Sequence, residues 1–246
     1  MKFDITCMLN PEVYPHPVKQ LKLIQTHISW VILTGDFAYK IKKSVDFGFL
    51  DFSTLKKRHA CCQNELQLNR RLAPSMYLEV VAITGTQQNP IIAPIIASFG
   101  KPFEYAVKMW QFPQSAQLDC MLAADKLNPH HMDAIALMVA EFHQNIGHAV
   151  GSMDYGNSDF IEQSISQNFS QIRDHLEVTP YAARLTRLES WSQSIFDQLK
   201  PIFEQRKRDG FIRECHGDMH LRNLIWLDSG PTAFDCIEFN SKLRWI

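Results

Sequence analysis

The chain has 246 residues, enough for one large domain or two lobes, and its 46% hydrophobic and 21% charged content excludes a disordered or low-complexity protein. A net charge of −1 without any long block of Lys or Arg leaves out the broad positive field of a duplex-nucleic-acid binder, so no nucleic-acid partner is expected. The opening MKFDITCMLNPEVYPHP has no apolar signal core, and the greasiest runs, such as residues 91–99, are too short to span a bilayer, so a cytoplasmic protein with no membrane partner is expected.

In chain order, residues 21–42 mix β-branched and aromatic residues around a Thr34-Gly35-Asp36 turn signal and predict two or three antiparallel strands. On one side of that turn Ile28, Trp30 and Ile32 share a face opposite Val31 and Leu33; on the other, Phe37, Tyr39 and Ile41 alternate with Ala38, Lys40 and Lys42. Lys40 therefore falls mid-strand among apolar neighbours, where a lysine needs a partner or a route to water. Ser53 is expected to cap a helix running to about Leu72 and stopped by Pro74. On that helix Glu65 has Cys61, Cys62, Leu68, Asn69 and Leu72 at helical spacing, so its carboxylate belongs to an apolar stripe and calls for a cation.

Strands are then predicted at 78–84, 91–99 and 104–110, giving a first lobe, 1–110, with a five- or six-stranded antiparallel sheet and one helix. From Gln111 the pattern turns helical, with segments near 115–127, 129–146, 158–177 and 181–208, so the second lobe, 111–246, is mainly helical and the fold class is α+β. The six cysteines show no CxxC spacing and are expected to be buried thiols. Beyond Gly210 short strands return as FIREC, LIWL and TAFDCI, so HGDMHLRN at 216–223 is a loop between β segments.

Asp218 and Asn223 stand five residues apart in that loop, and Asp235 ends a strand twelve residues later, so three oxygen-bearing side chains can converge. Hard cations such as Mg²⁺ take such ligands together with phosphate oxygens, and a remaining carboxylate can orient a hydroxyl nucleophile. That layout matches kinase phosphoryl transfer, in which a catalytic-loop Asp precedes a metal-binding Asn by five positions and a second metal-binding Asp follows on a later turn.

HGDMHLRN followed by FDCIEF resembles the aminoglycoside phosphotransferase-like family of small-molecule kinases with the protein-kinase fold. The resemblance implies a two-lobed kinase-like fold, ATP and Mg²⁺, and transfer of the γ-phosphate to the hydroxyl of a small molecule. It makes Asp218 the catalytic base, His216 the brace of the catalytic loop, Asn223 and Asp235 the metal ligands, and Glu238 a further acidic contact. Phe37-Ala38-Tyr39-Lys40 matches the kinase lysine strand, with Ala38 ahead of a phosphate-pairing Lys40 and Glu65 as its ion-pair partner. The run Tyr105–Trp110, with Val107 and Met109, falls where the hinge offers backbone groups to adenine. TGDFAYKIKKSVDFGFLDFSTLKKR further resembles bacterial proteins in which this domain often precedes a P-loop ATPase domain. No GxxxxGK[ST] is present, and the chain stops at Leu243-Arg244-Trp245-Ile246, where that family continues into further helices, so the helical lobe is expected to be incomplete. A glycine-rich loop is also lacking, which leaves Thr26-His27-Ile28-Ser29 to cover the phosphates.

Two other readings stand beside this one. A metal-dependent phosphoesterase accounts for His216, Asp218 and His220 but leaves Lys40, Glu65 and Asn223 unexplained. A nucleotide-binding pseudokinase or regulatory module keeps the site without turnover. Ser53-Thr54-Leu55-Lys56 fits the SxxK nucleophile pattern, but neither SDN nor KTG follows, and capping explains it.

Overall fold

The computed structural model of the chain describes residues 3–95, 100–149, 153–175 and 181–246. Its architecture is α+β, and compactness divides it into two units: Met1–Phe142 with Asp218–Ser241, and His143–Gly217 with Lys242–Ile246. These units group the chain differently from a single boundary at residue 110, because the segment carrying Asp218 and Asp235 returns to the first unit.

The first unit is built on an antiparallel sheet of β1 (Lys22–Gln25), β2 (Ser29–Leu33), β3 (Phe37–Lys42), β4 (Tyr77–Gly85), β5 (Pro90–Pro94) and β6 (Glu104–Trp110), in the order β1-β2-β3-β6-β4-β5. The strand predicted over 91–99 ends at Pro94, and residues 96–99 lie outside the described part. Side chains in a strand alternate between faces. Ile32, Tyr39 and Ile41 accordingly pack on one face with Ile5, Met8, Val13 and Tyr14 of the N-terminal segment. Val31, Leu33, Ala38, Val107 and Met109 pack on the other face with Cys62, Tyr77, Ile225 and Phe234. Gly35 holds φ +104 in the β2–β3 turn, a conformation that favours glycine.

α1 (Leu55–Asn69) lies on the second face. Thr54, not Ser53, is its N-cap: the Thr54 hydroxyl accepts the Lys57 N–H, while the Ser53 hydroxyl is drawn back to Asp51 at 2.6 Å. Beyond Asn69 the helix tightens into short turns through Leu72, which accounts for the longer helix expected from the sequence. Arg58 ties the first half of α1 to β6 through the Glu104 carboxylate at 2.8 Å. Asn69 holds the other end, donating to the Glu65 carbonyl and accepting the Cys236 N–H.

The same unit contains α2 (Leu118–Ala123), most of α3 (Pro129–Asn145) and a hairpin of β7 (Leu224–Leu227) and β8 (Gly230–Ala233) turning at Asp228-Ser229. In the second unit α4 (Ser158–His175) and α5 (Ala182–Arg208) pair side by side, linked by Lys200 with Asp159 and Gln193 with Glu162. The strand expected over FIREC does not form; Arg213 and Glu214 make single bridges to His148 and Trp245, and Arg213 turns its guanidinium onto the His143 and Gly210 carbonyls. Among the described residues, no helix is long and apolar enough to cross a membrane.

Candidate functional site

Strand parity generates the site. Ala38, Lys40 and Lys42 share the β3 face that α1 covers, and Glu65 points into it from the helix. Lys40 forms an ion pair with Glu65 Oε1 at 2.8 Å and donates a hydrogen bond to Asp235; Lys42 pairs with Glu65 Oε2 at 2.5 Å and donates to Glu238. The result is an unbroken alternation, Asp235–Lys40–Glu65–Lys42–Glu238, in which four members are buried and Asp235 keeps 42% of its side chain exposed. Two ammonium groups against three carboxylates leave the cluster one negative charge in excess.

Burial by itself pulls the Lys40 ammonium down, but Asp235, Glu65 and Glu238 outweigh it and hold the group well above the ordinary lysine range. Lys42 behaves likewise, with Glu238 and Glu65 overcoming burial and the repulsion of Lys40. Burial pushes Glu238 up, and the field of Lys42 opposes it.

Asp235 reaches Lys40 from an unusual backbone, φ +61, fixed by the Tyr77 hydroxyl, which accepts the Asp235 N–H at 3.2 Å. One residue earlier the Phe234 N–H donates to the Asn223 carbonyl, which joins the loop of Asn223 to the strand end of Asp235. The Asn223 amide donates through Nδ2 to the Asp218 carbonyl at 2.9 Å and to Asp218 Oδ2 at 3.2 Å. Its Oδ1 is thereby left as the acceptor. His220 Nδ1 accepts the Arg222 N–H, so the ring proton sits on Nε2, 3.5 Å from Asp218 Oδ2. Asp218 keeps about half of its side chain open, at 53%.

The donors at this site match what Mg²⁺ takes: the Asp235 carboxylate and Asn223 Oδ1 are both hard oxygens. The residues fit that cation. Among the described residues, no three His, Cys, Asp or Glu side chains are gathered to hold a metal by themselves.

The structure thus brings together Lys40, Glu65 and Asp235 by ion pairs and Asp218 with Asn223 by hydrogen bonds. Ala38, Val107 and Met109 line the apolar layer on the same sheet face. Ser29 faces Lys42 across the strands, fully buried, with a hydroxyl that makes no hydrogen bond. His216 is buried in the second unit. The run expected to offer backbone groups lies within the sheet: β6 stands between β3 and β4, and the Gln111 N–H that follows donates to the Asp36 carbonyl. Sequence reasoning missed Lys42, Asn69 and Tyr77. For Lys42 the signal was present, since it has the parity of Lys40 and lies on the face where Glu65 is expected.

No family model matches the chain. It is 27% identical over 243 residues to uncharacterized proteins of Mycobacterium bovis and Mycobacterium tuberculosis, an alignment that covers 99% of this chain and 46% of each of theirs. The chain therefore spans less than half the length of these curated relatives.

Proposed function

We propose that the chain is an ATP-dependent phosphotransferase that moves the γ-phosphate to a hydroxyl of a small molecule, with the first unit forming a protein-kinase-like nucleotide site. The observation that carries this reading is the buried Lys40 held between the α1 carboxylate of Glu65 and the Asp235 carboxylate at positive φ. A lysine, a helix glutamate and a metal-binding aspartate in that relation are what kinase phosphoryl transfer requires. Backbone strain at a side-chain-bearing residue concentrates at functional positions, and Asp235 has it.

In the reaction, Lys40 turns its ammonium toward the phosphates while Glu65 sets its direction. Asp218, exposed and oriented by Asn223, accepts the proton of the acceptor hydroxyl as its oxygen forms the new bond to phosphorus and the bond to the leaving diphosphate breaks. Asp235 and Asn223 are the residues that would hold Mg²⁺, which when bound would neutralise charge on the phosphoryl oxygens. The apolar layer of Ala38, Val107 and Met109 suits a base, and the greater length of the relatives is consistent with a partner domain, such as a P-loop ATPase, beyond the matched region.

The test is transfer of labelled γ-phosphate from ATP to a panel of hydroxyl-bearing small molecules. Asp218→Asn is expected to keep Mg-ATP binding by calorimetry while lowering transfer by about 10²–10⁴-fold. A wild type that binds no ATP overturns the proposal; one that binds ATP and labels no acceptor leaves a pseudokinase in its place.

A further inference from the structure

The phosphotransfer reading uses Lys40, Glu65 and Asp235 but gives no task to Lys42 and Glu238, although burying two more charges is expensive unless they serve each other. Lys42 is completely buried, stacked over the Phe52 ring at 5.4 Å, and Glu238 is 5% exposed. The ion-pair chain is therefore asymmetric. Its Asp235–Lys40 end is open at Asp235, whereas its Lys42–Glu238 end is sealed. Glu65 stands between them and gives one oxygen to each lysine.

This division matters when Lys40 changes partners. A nucleotide drawing Lys40 to its phosphates, and a cation drawing Asp235, both loosen the open end. If Lys40 were the sole cation on Glu65, each such event would weaken the hold on a buried carboxylate and hence on α1. Lys42 supplies the second hold. Glu238 in turn keeps Lys42 paired within the sealed end.

We propose, resting on the nucleotide-site reading above, that Lys42 and Glu238 are positioning residues: a sealed anchor that keeps Glu65 and α1 seated while Lys40 and Asp235 exchange their mutual contact for nucleotide and cation. Neither touches substrate; both act through Glu65. The same arrangement makes Lys40 dispensable for seating α1 in the nucleotide-free protein, which separates the anchor from the chemistry.

Hydrogen exchange over α1 tests this, read without and with Mg-ATP in wild type, Lys40→Ala, Lys42→Met and Lys40→Ala/Lys42→Met. Should Lys42→Met fail to fold because it strands Glu238, Lys42→Met/Glu238→Gln replaces it throughout. Protection of α1 in wild type and in Lys40→Ala is expected to stay the same without nucleotide and to collapse only in the variant lacking both lysines. Added Mg-ATP is expected to leave wild type protected and to lower α1 protection by about tenfold or more in the Lys42 variant, and Lys42→Arg is expected to restore it. A Lys42 variant whose α1 stays as protected as wild type with saturating nucleotide overturns the anchor, as does Lys40→Ala alone releasing α1. If wild type binds no Mg-ATP, the nucleotide reading falls, and the nucleotide-free comparison of the single and double variants still decides whether Lys42 holds Glu65.

Discussion

Asp235 holds φ +61, a region where Asp and Asn are tolerated better than most residues that carry a Cβ, and where a cost of order 1 kcal/mol is met by local bonds. Here the Tyr77 hydroxyl and the Asn69 amide oxygen take the N–H groups of Asp235 and Cys236, so the strained turn is fixed from two directions before Lys40 adds its charge. Ser29 shows the opposite condition, a buried hydroxyl with no partner beside Lys42. Removing an unsatisfied polar atom relieves a desolvation cost, so Ser29→Ala is expected to leave stability unchanged or raise it by up to about 1 kcal/mol. Urea unfolding measures this, and a loss of more than about 1 kcal/mol would show that the hydroxyl is bonded in solution. At this scale the sequence made Lys40, Glu65, Asp218 and Asn223 legible, because a charge in an apolar pattern or a fixed spacing announces itself. Lys42 had the parity to face Glu65, but its burial had no local mark: a terminal strand lysine followed by Lys43 looks like the start of a solvated turn, and the Glu238 that seals it lies 196 residues away.

At the scale of elements, α1 is held at three points along its length: Arg58 on Glu104 and Glu65 on the two lysines tie it to the sheet, and Asn69 ties it to the Cys236 backbone past β8. Asn69 is the most economical of these, since one amide satisfies a helix carbonyl and a strand-end N–H together. Asn69→Leu, similar in size but without either bond, is expected to destabilise by about 2–3 kcal/mol through the N–H and carbonyl it leaves behind. Equilibrium denaturation checks this; a change below about 0.5 kcal/mol would mean that water replaces both bonds. Most strand and helix spans were readable from β-branched and aromatic runs bounded by turn signals and from helical segments bounded by Pro and Gly. The failures came where a local hydrogen bond overrode the pattern: Ser53 lost the cap to Thr54 through Asp51, and FIREC lost its strand because its neighbours offer only single bridges. The packing of residues 3–14 beneath the sheet was not readable at all, since its short turns have no period.

Over the whole molecule, the buried groups set the response to alkali. Burial pushes the Cys61 thiol to about 11 and the Cys236 thiol to about 12, against 9.0 in an open chain. Tyr14, Tyr39 and Tyr77 are also raised by burial, and Lys40 and Lys42 are raised by their carboxylates. In each case the native state keeps a proton that the unfolded chain has released, so stability is present below the unfolded value and is lost as pH rises toward the native one. Thermal stability is therefore expected to fall from about pH 9 and to steepen past about 10.5, where the lysines join the thiols and tyrosines. Melting curves across that range test it; a flat melting temperature between about pH 9 and 11 contradicts the burial of these groups.

The first unit is assembled from two stretches of chain, and the partners of its buried lysines arrive late: Asp235 lies 195 residues after Lys40, and Glu238 lies 196 after Lys42. On a ribosome adding about 5–20 residues per second, that interval is on the order of 10–40 s. Through most of it β3 and α1 have emerged, with one carboxylate, Glu65, between two ammonium groups and the α1 face of the sheet still without Ile225, Leu227 and Phe234. Vectorial synthesis thus gives the nascent protein a waiting period in which its sheet is written but cannot close, and chaperones that shield apolar surface have their natural substrate in that interval.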